Sequence, residues 1–211
     1  FRPRGGPDED DAVLEVDEEE TCARIHEQVP ERVEEVVARI FRPREHRSGA
    51  LLVFDEIQTG MGRTGSLWAY EQLPVRPDVM TTAKALGGGL PVGACVTTLE
   101  AGDVLEVGDH GSTFAGGPLI AAAALTALDV IDEPDLLRNV RELGTRLCKG
   151  LDEIEAIGEV RGRGLMVGAQ VRGGSARDVA RRALERGLIV NPIGDETLRF
   201  LPPLVIEEAD V

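Results

Sequence analysis

Ala50-Leu51-Leu52-Val53-Phe54-Asp55-Glu56-Ile57-Gln58 opens with five apolar residues in unbroken succession and then turns abruptly acidic. An apolar run without alternation predicts a strand buried on both faces of a parallel sheet. Asp55 stands where that strand would end. Ligands of open α/β sheets bind outside the carboxyl ends of strands, so Asp55 is a candidate ligand contact. A partly desolvated carboxylate there would need a cationic partner, and a protonated pyridine nitrogen is one such group. Gln58, three positions on, could reach the phenolic oxygen of the same ring. Taken alone, Asp55 reads more readily as the cap of a turn at a strand exit.

Outward from this stretch the chain divides into three parts. Residues 1–48 are rich in Asp, Glu and Arg and hold one amphipathic stretch, Pro30 to Phe41, with Val33, Val36, Val37 and Ile40 at helical spacing. Residues 49–157 have an α/β texture. A second strand is predicted at Val92 to Thr97, then an alanine-rich helix from Pro118 to about Ile131, opened by proline at its favoured first position. An amphipathic helix follows Pro134, with Leu136, Leu137, Val140, Leu143, Leu147, Leu151 and Ile154 on one face. Residues 158–211 read as a small α+β domain. Its predicted elements are a strand at Leu165 to Val171, a helix from Ser175 to Arg186 capped by Ser175, and strands at Leu188 to Asn191 and Thr197 to Leu201.

Composition narrows the function classes. The net charge of -15 over 211 residues argues against nucleic acid, whose phosphates need clustered Lys and Arg. No run reaches membrane-spanning length and no signal peptide opens the chain, which starts at Phe1 without Met, as a fragment would. Cys22, Cys95 and Cys148 are odd in number and unpaired in spacing, as expected of reduced thiols in a cytoplasmic protein. His26 and His46 lack ligand spacing, so no metal is expected. His110 reads as a loop hydrogen-bonder, and Trp68 and Tyr70 as packing residues.

Only two lysines occur, Lys84 and Lys149. Lys84 lies in Thr81-Thr-Ala-Lys-Ala-Leu-Gly-Gly-Gly89, with no neighbouring acid and with glycines that allow close backbone approach to a ligand. Burial and nearby positive charge would favour its free amine, a nucleophile towards an aldehyde. The ordinary reading, a solvated loop lysine, is weakened by how sparingly the chain uses the residue. Gly111-Ser112-Thr113-Phe-Ala-Gly-Gly117 before the Pro118 helix could receive phosphate on hydroxyls and amides. Gly60-x-Gly62-x-x-Gly65 fits the dinucleotide fingerprint in form, but five residues part it from the strand and no clear helix follows, so that reading is rejected.

In order and spacing, LLVFDEIQTGMGRTG (51–65), PDVMTTAKALGGGLPVGA (77–94), HGSTFAGGPLIAAAAL (110–125), VRGRGLMVG (160–168) and GLIVNPIGDETLRFLPPLVI (187–206) resemble class III aminotransferases. The resemblance is strongest to acetylornithine and ornithine aminotransferases and covers residues 50 to 211. It implies a fold-type-I pyridoxal-phosphate transferase: a partial large domain with a mainly parallel sheet, followed by a truncated small C-terminal α+β domain. It further implies pyridoxal 5'-phosphate as cofactor and Lys84 as the Schiff-base lysine and proton shuttle. Asp55 and Gln58 correspond to the ring-nitrogen and phenolic-oxygen contacts. Thr113 corresponds to the residue that reaches the phosphate of a neighbouring subunit's cofactor, in a homodimer with shared sites. Ser112 beside it lies near the substrate, and Arg199 corresponds to the arginine that clamps a substrate carboxylate; without the family, Arg199 reads as a strand-edge surface arginine. The partners implied are a small-molecule amino donor and a 2-oxo acid. Family chains are about twice this long, so an inactive remnant of such an enzyme is a competing expectation. Aminomutases and racemases share the Asp, Gln and Lys set.

Overall fold

The computed structural model describes residues 51–211. The stretch 1–48, with its expected helix at 30–41, lies outside the described residues. The described chain folds around two sheets. The first has the order β1-β2-β3, with β1 Val53–Asp55, β2 Val79–Thr82 and β3 Ala94–Thr97. β1 and β2 run parallel with Asp55 opposite Thr81, and β2 and β3 run antiparallel with Thr81 opposite Cys95. The expectation of a mainly parallel sheet is therefore corrected: this sheet is mixed and the second is antiparallel throughout. The reason is the connection. A parallel partner needs a long crossover, usually helical, whereas β2 reaches β3 through one 3-10 turn, Lys84–Gly87, and a few glycine-rich residues.

Two further expectations change in this region. β1 is not buried on both faces, since Leu51 and Val53 are 58% and 43% exposed while Leu52 is buried. β2 has no counterpart in the sequence reading, because four residues after Pro77-Asp78 give too short a pattern to register. The predicted strand at Val92 to Thr97 is found as Ala94–Thr97.

After β3 come a short α1, Leu99–Gly102, and then α2, Pro118–Ile131, and α3, Pro134–Asp152, each of the latter two with proline at the first positions as expected. The second sheet has the order β4-β5-β7-β6: Ile157–Arg163, Met166–Val171, Thr197–Phe200 and Asn191–Ile193. α4, Ala176–Glu185, lies between β5 and β6 in sequence. Three buried clusters hold this half together. Leu151 of α3 packs on Ile157, Val160, Val167 and Ala169, with Leu147 and Cys148 alongside. Ala176 and Ala180 of α4 pack on Val171 and Leu198. Val140 and Leu143 close over Leu165 with Leu204 and Ile206. Full burial of a leucine such as Leu165 contributes about 1.5–3 kcal/mol.

Details at the α4 end differ from the sequence reading. Ser175 occupies the N-cap, but its side chain makes no capping bond. The strand expected at Leu188 to Asn191 begins only at Asn191. Gly187 takes a left-handed φ of 83° and the Leu188 amide donates back to the Ala183 carbonyl, so the helix exit consumes the first apolar residues.

Candidate active site

β1 and β2 run the same way, so Asp55 and the residues after Thr82 emerge at one carboxyl end of the sheet. Asp55 is exposed, and its Oδ1 accepts two hydrogen bonds, from the Ile57 amide and from the Thr81 hydroxyl, each 3.0 Å. The Ile57 bond is the turn cap that the sequence allowed. It occupies only one oxygen, and Oδ2 has no partner among the described residues.

The next residue, Glu56, has a different task. It is 2% exposed and accepts from the Tyr70 amide at 2.8 Å and the Thr59 hydroxyl at 2.6 Å. Buried carboxylates need such donors. Glu56 thereby anchors the residues after β1 against the Ala69–Gln72 turn. Tyr70 and Phe54 stack edge to face at 6.4 Å, and Trp68 fills the space beside Gly60, so both aromatics pack as expected.

At the end of β2 the backbone passes through Ala83 and turns left-handed at Lys84, with φ 48°. A non-glycine residue held there costs roughly 1–3 kcal/mol and persists only where its surroundings enforce it. Lys84 is exposed, not buried as anticipated, and has no hydrogen-bond or ion-pair partner among the described residues. The neighbouring Thr82 hydroxyl is buried without a partner among the described residues.

Gln58 meets the second sheet. Its Oε1 accepts from Arg199 Nη1 at 3.4 Å, a weak bond that joins residues 141 positions apart. Arg199 lies in β7 opposite Gly168 and Asn191. It is not the surface arginine its type would suggest: its Nε is buried and has no partner among the described residues. Asp55 and Lys84 thus follow from the carboxyl ends of two paired parallel strands, and Gln58 meets Arg199 of β7. No hydrogen bond among the described residues ties Ser112 or Thr113 to them. Both are exposed in the loop before α2, with no hydrogen-bond partner among the described residues.

The family profile "Aminotransferase class-III" matches residues 13–211. The chain belongs to the class-III aminotransferases. Members of this family are pyridoxal-phosphate-dependent. Among similar proteins is the acetylornithine aminotransferase of Thermosynechococcus vestitus, 46% identical, covering 77% of this class-III chain and 41% of the relative. Another is the acetylornithine aminotransferase of Caldanaerobacter subterraneus subsp. tengcongensis, 39% identical, covering 95% of this chain and 53% of the relative. The solved ornithine aminotransferase of Toxoplasma gondii superposes with a TM-score of 0.74 at 33% identity, over 87% of this chain and 44% of that one. The chain spans about half the length of the relatives it matches.

Two residues bonded beside these candidates have no signal in the sequence. Thr81, which holds Asp55, belongs to the strand too short to register, and only the parallel register reveals its partner. Arg63 donates from Nη1 to the carbonyls of Leu165 at 3.2 Å and Pro202 at 2.6 Å. Burial pulls its guanidinium down from the usual arginine range.

Proposed function

We propose that these residues serve transamination of the ω-amino group of an acetylornithine-, ornithine- or lysine-like compound, with glutamate and 2-oxoglutarate as the other pair. The observation that carries the proposal is an Asp55 oxygen without a partner among the described residues, at the same sheet end as a strained Lys84 that likewise has none among them. The set of groups fits pyridoxal phosphate: a carboxylate oxygen, a primary amine and a buried arginine nitrogen, each without a hydrogen-bond partner among the described residues.

When bound, pyridoxal phosphate supplies an aldehyde and an electron-accepting ring. Asp55 Oδ2 would hold a proton on the ring nitrogen, with Thr81 and Ile57 keeping the carboxylate oriented. Gln58 accepts Arg199 through its oxygen, which leaves its amide nitrogen free to donate to a phenolic oxygen. The Lys84 amine would make the covalent tether, yield it to the amino donor's nitrogen, and then carry a proton away from the substrate carbon. Arg199 would turn its remaining donors to a substrate carboxylate, for which a planar fork suits. Ser112 and Thr113, exposed in the loop before α2, would serve a neighbouring subunit's cofactor in a homodimer. Free thiols at Cys95 and Cys148 support a cytoplasmic setting.

Glutamate production from 2-oxoglutarate and N-acetylornithine, assayed with and without added pyridoxal phosphate, tests the proposal. Cofactor-dependent turnover that Lys84→Ala lowers at least about a thousandfold is expected. Turnover unchanged in that variant would refute it. A second reading, in which these residues act only with further polypeptide, is favoured by one observation: α2 buries none of its residues. An inactive chain that still binds the cofactor at Lys84 would select it.

A further inference from the structure

The glycine motif Gly60-x-Gly62-x-x-Gly65, rejected as a nucleotide fingerprint, encloses Arg63 and forms the joint between the two sheets. Gly62 takes a φ of 79°, and a Cβ on it would lie 2.7 Å from Ile131 Cγ2 and 3.3 Å from Leu137 Cδ2. Met61 is 2% exposed at a φ of 54°. The loop is thus pressed against the helices on a backbone that few residues adopt. On its other side it meets the β4–β5 turn. The Leu165 amide donates to the Arg63 carbonyl at 3.1 Å, and a Cβ on Gly164 would lie 2.7 Å from that same oxygen. The Arg63 guanidinium adds the bonds to Leu165 and Pro202. No acid among the described residues pairs with this partly buried cation, so its donors serve backbone carbonyls alone. Gln58 stands five positions before Arg63, and Arg199 stands three before Pro202.

We propose that Arg63 is a positioning residue that sets the spacing between Gln58 on the cofactor side and Arg199 on the carboxylate side. The proposal rests on the reading of Arg199 as a carboxylate clamp. Losing the tie to Pro202 frees the end of β7 to shift against the first sheet. Carboxylate affinity then falls, while cofactor affinity, anchored at Asp55 and Lys84, stays.

The test uses the full chain with two probes: pyridoxal phosphate, followed by visible absorbance, and glutarate, a dicarboxylate that cannot react, followed by calorimetry on the cofactor-loaded protein. Arg63→Met should raise the glutarate Kd about tenfold and leave the cofactor Kd within about twofold. Arg63→Lys, which keeps the charge without the planar fork, should raise it about threefold. Arg199→Gln should raise it by about a hundredfold, and adding Arg63→Met to that variant should change it less than about twofold. Glutarate affinity unchanged in both Arg63 variants, or additive loss in the double variant, would overturn the positioning role. If Arg63→Met fails to fold, the Arg63→Lys result decides alone. Glutarate binding that is absent from the wild type or unaffected by Arg199→Gln overturns the carboxylate reading itself, and the inference with it.

Discussion

The two sheets of this chain share a joint but differ in how they are finished. The four-stranded sheet is covered by α3 and α4, and all three buried clusters draw on it or on α3 above it. The three-stranded sheet leaves every residue of β3 exposed, and α2 beside it has no buried residue. Yet Asp55, Gln58 and Lys84 all belong to the less covered region. Only Arg199 comes from the well-packed one. The proposed chemistry thus sits on a scaffold whose firmness comes from elsewhere, through the loop around Arg63. Glu56 illustrates the arrangement: a wholly buried carboxylate next to an exposed one fixes the backbone so that Asp55 can be offered outward.

The contrast predicts unequal responses to truncation of leucines. Leu165→Ala, at a site of 0% exposure, should cost about 4 kcal/mol in chemical denaturation. Leu119→Ala on α2, at 76% exposure, should stay within about 0.5 kcal/mol in the same experiment. Equal losses would show that α2 is buried in solution and would erase the difference between the regions. Next in size is Gly144→Ala. A Cβ there would overlap the Gly164 carbonyl, so α3 must move off the β4–β5 turn, at a cost of about 3 kcal/mol. A neutral outcome would mean that the joint is looser than its close backbone contact implies.

Thr81→Val removes one of two donors to Asp55 and should cost only about 1 kcal/mol of stability. It should still weaken pyridoxal phosphate binding about tenfold, because an unheld carboxylate must be ordered on binding. Retained affinity would make Thr81 a strand residue and no more. The smallest effect concerns thiols. Burial pushes the Cys148 thiol up from its ordinary value, so near pH 8 iodoacetamide should modify exposed Cys95 well before Cys148. Mass spectrometry of timed samples showing the reverse order would contradict the packing of α3 on β4.

Much of this architecture is legible in the amino-acid sequence. Pro118 and Pro134 mark both long helices, because proline at a first turn is a local signal that tertiary context rarely overrides. Asp55, Gln58, Lys84 and Arg199 stand out within their motifs; the fold sets Asp55 and Lys84 after paired parallel strands and joins Gln58 to Arg199. Strand direction is not legible in the same way. The run from Ala50 to Phe54 says that a strand is apolar, but direction belongs to the connection after β2, whose roughly ten residues hold no helix long enough for a crossover. Thr81 and Arg63 stay hidden for a related reason. Their partners lie 26 and 139 positions away, and no local pattern reports a bond of that span.

Borohydride reduction of the protein mixed with pyridoxal phosphate, followed by peptide mapping, asks most directly whether Asp55 and Lys84 form one site. With only two lysines in the chain, the answer is nearly binary. A stable adduct on Lys84, weakened in Asp55→Ala, is the expected result. An adduct on Lys149, or labelling of Lys84 indifferent to Asp55, would contradict it.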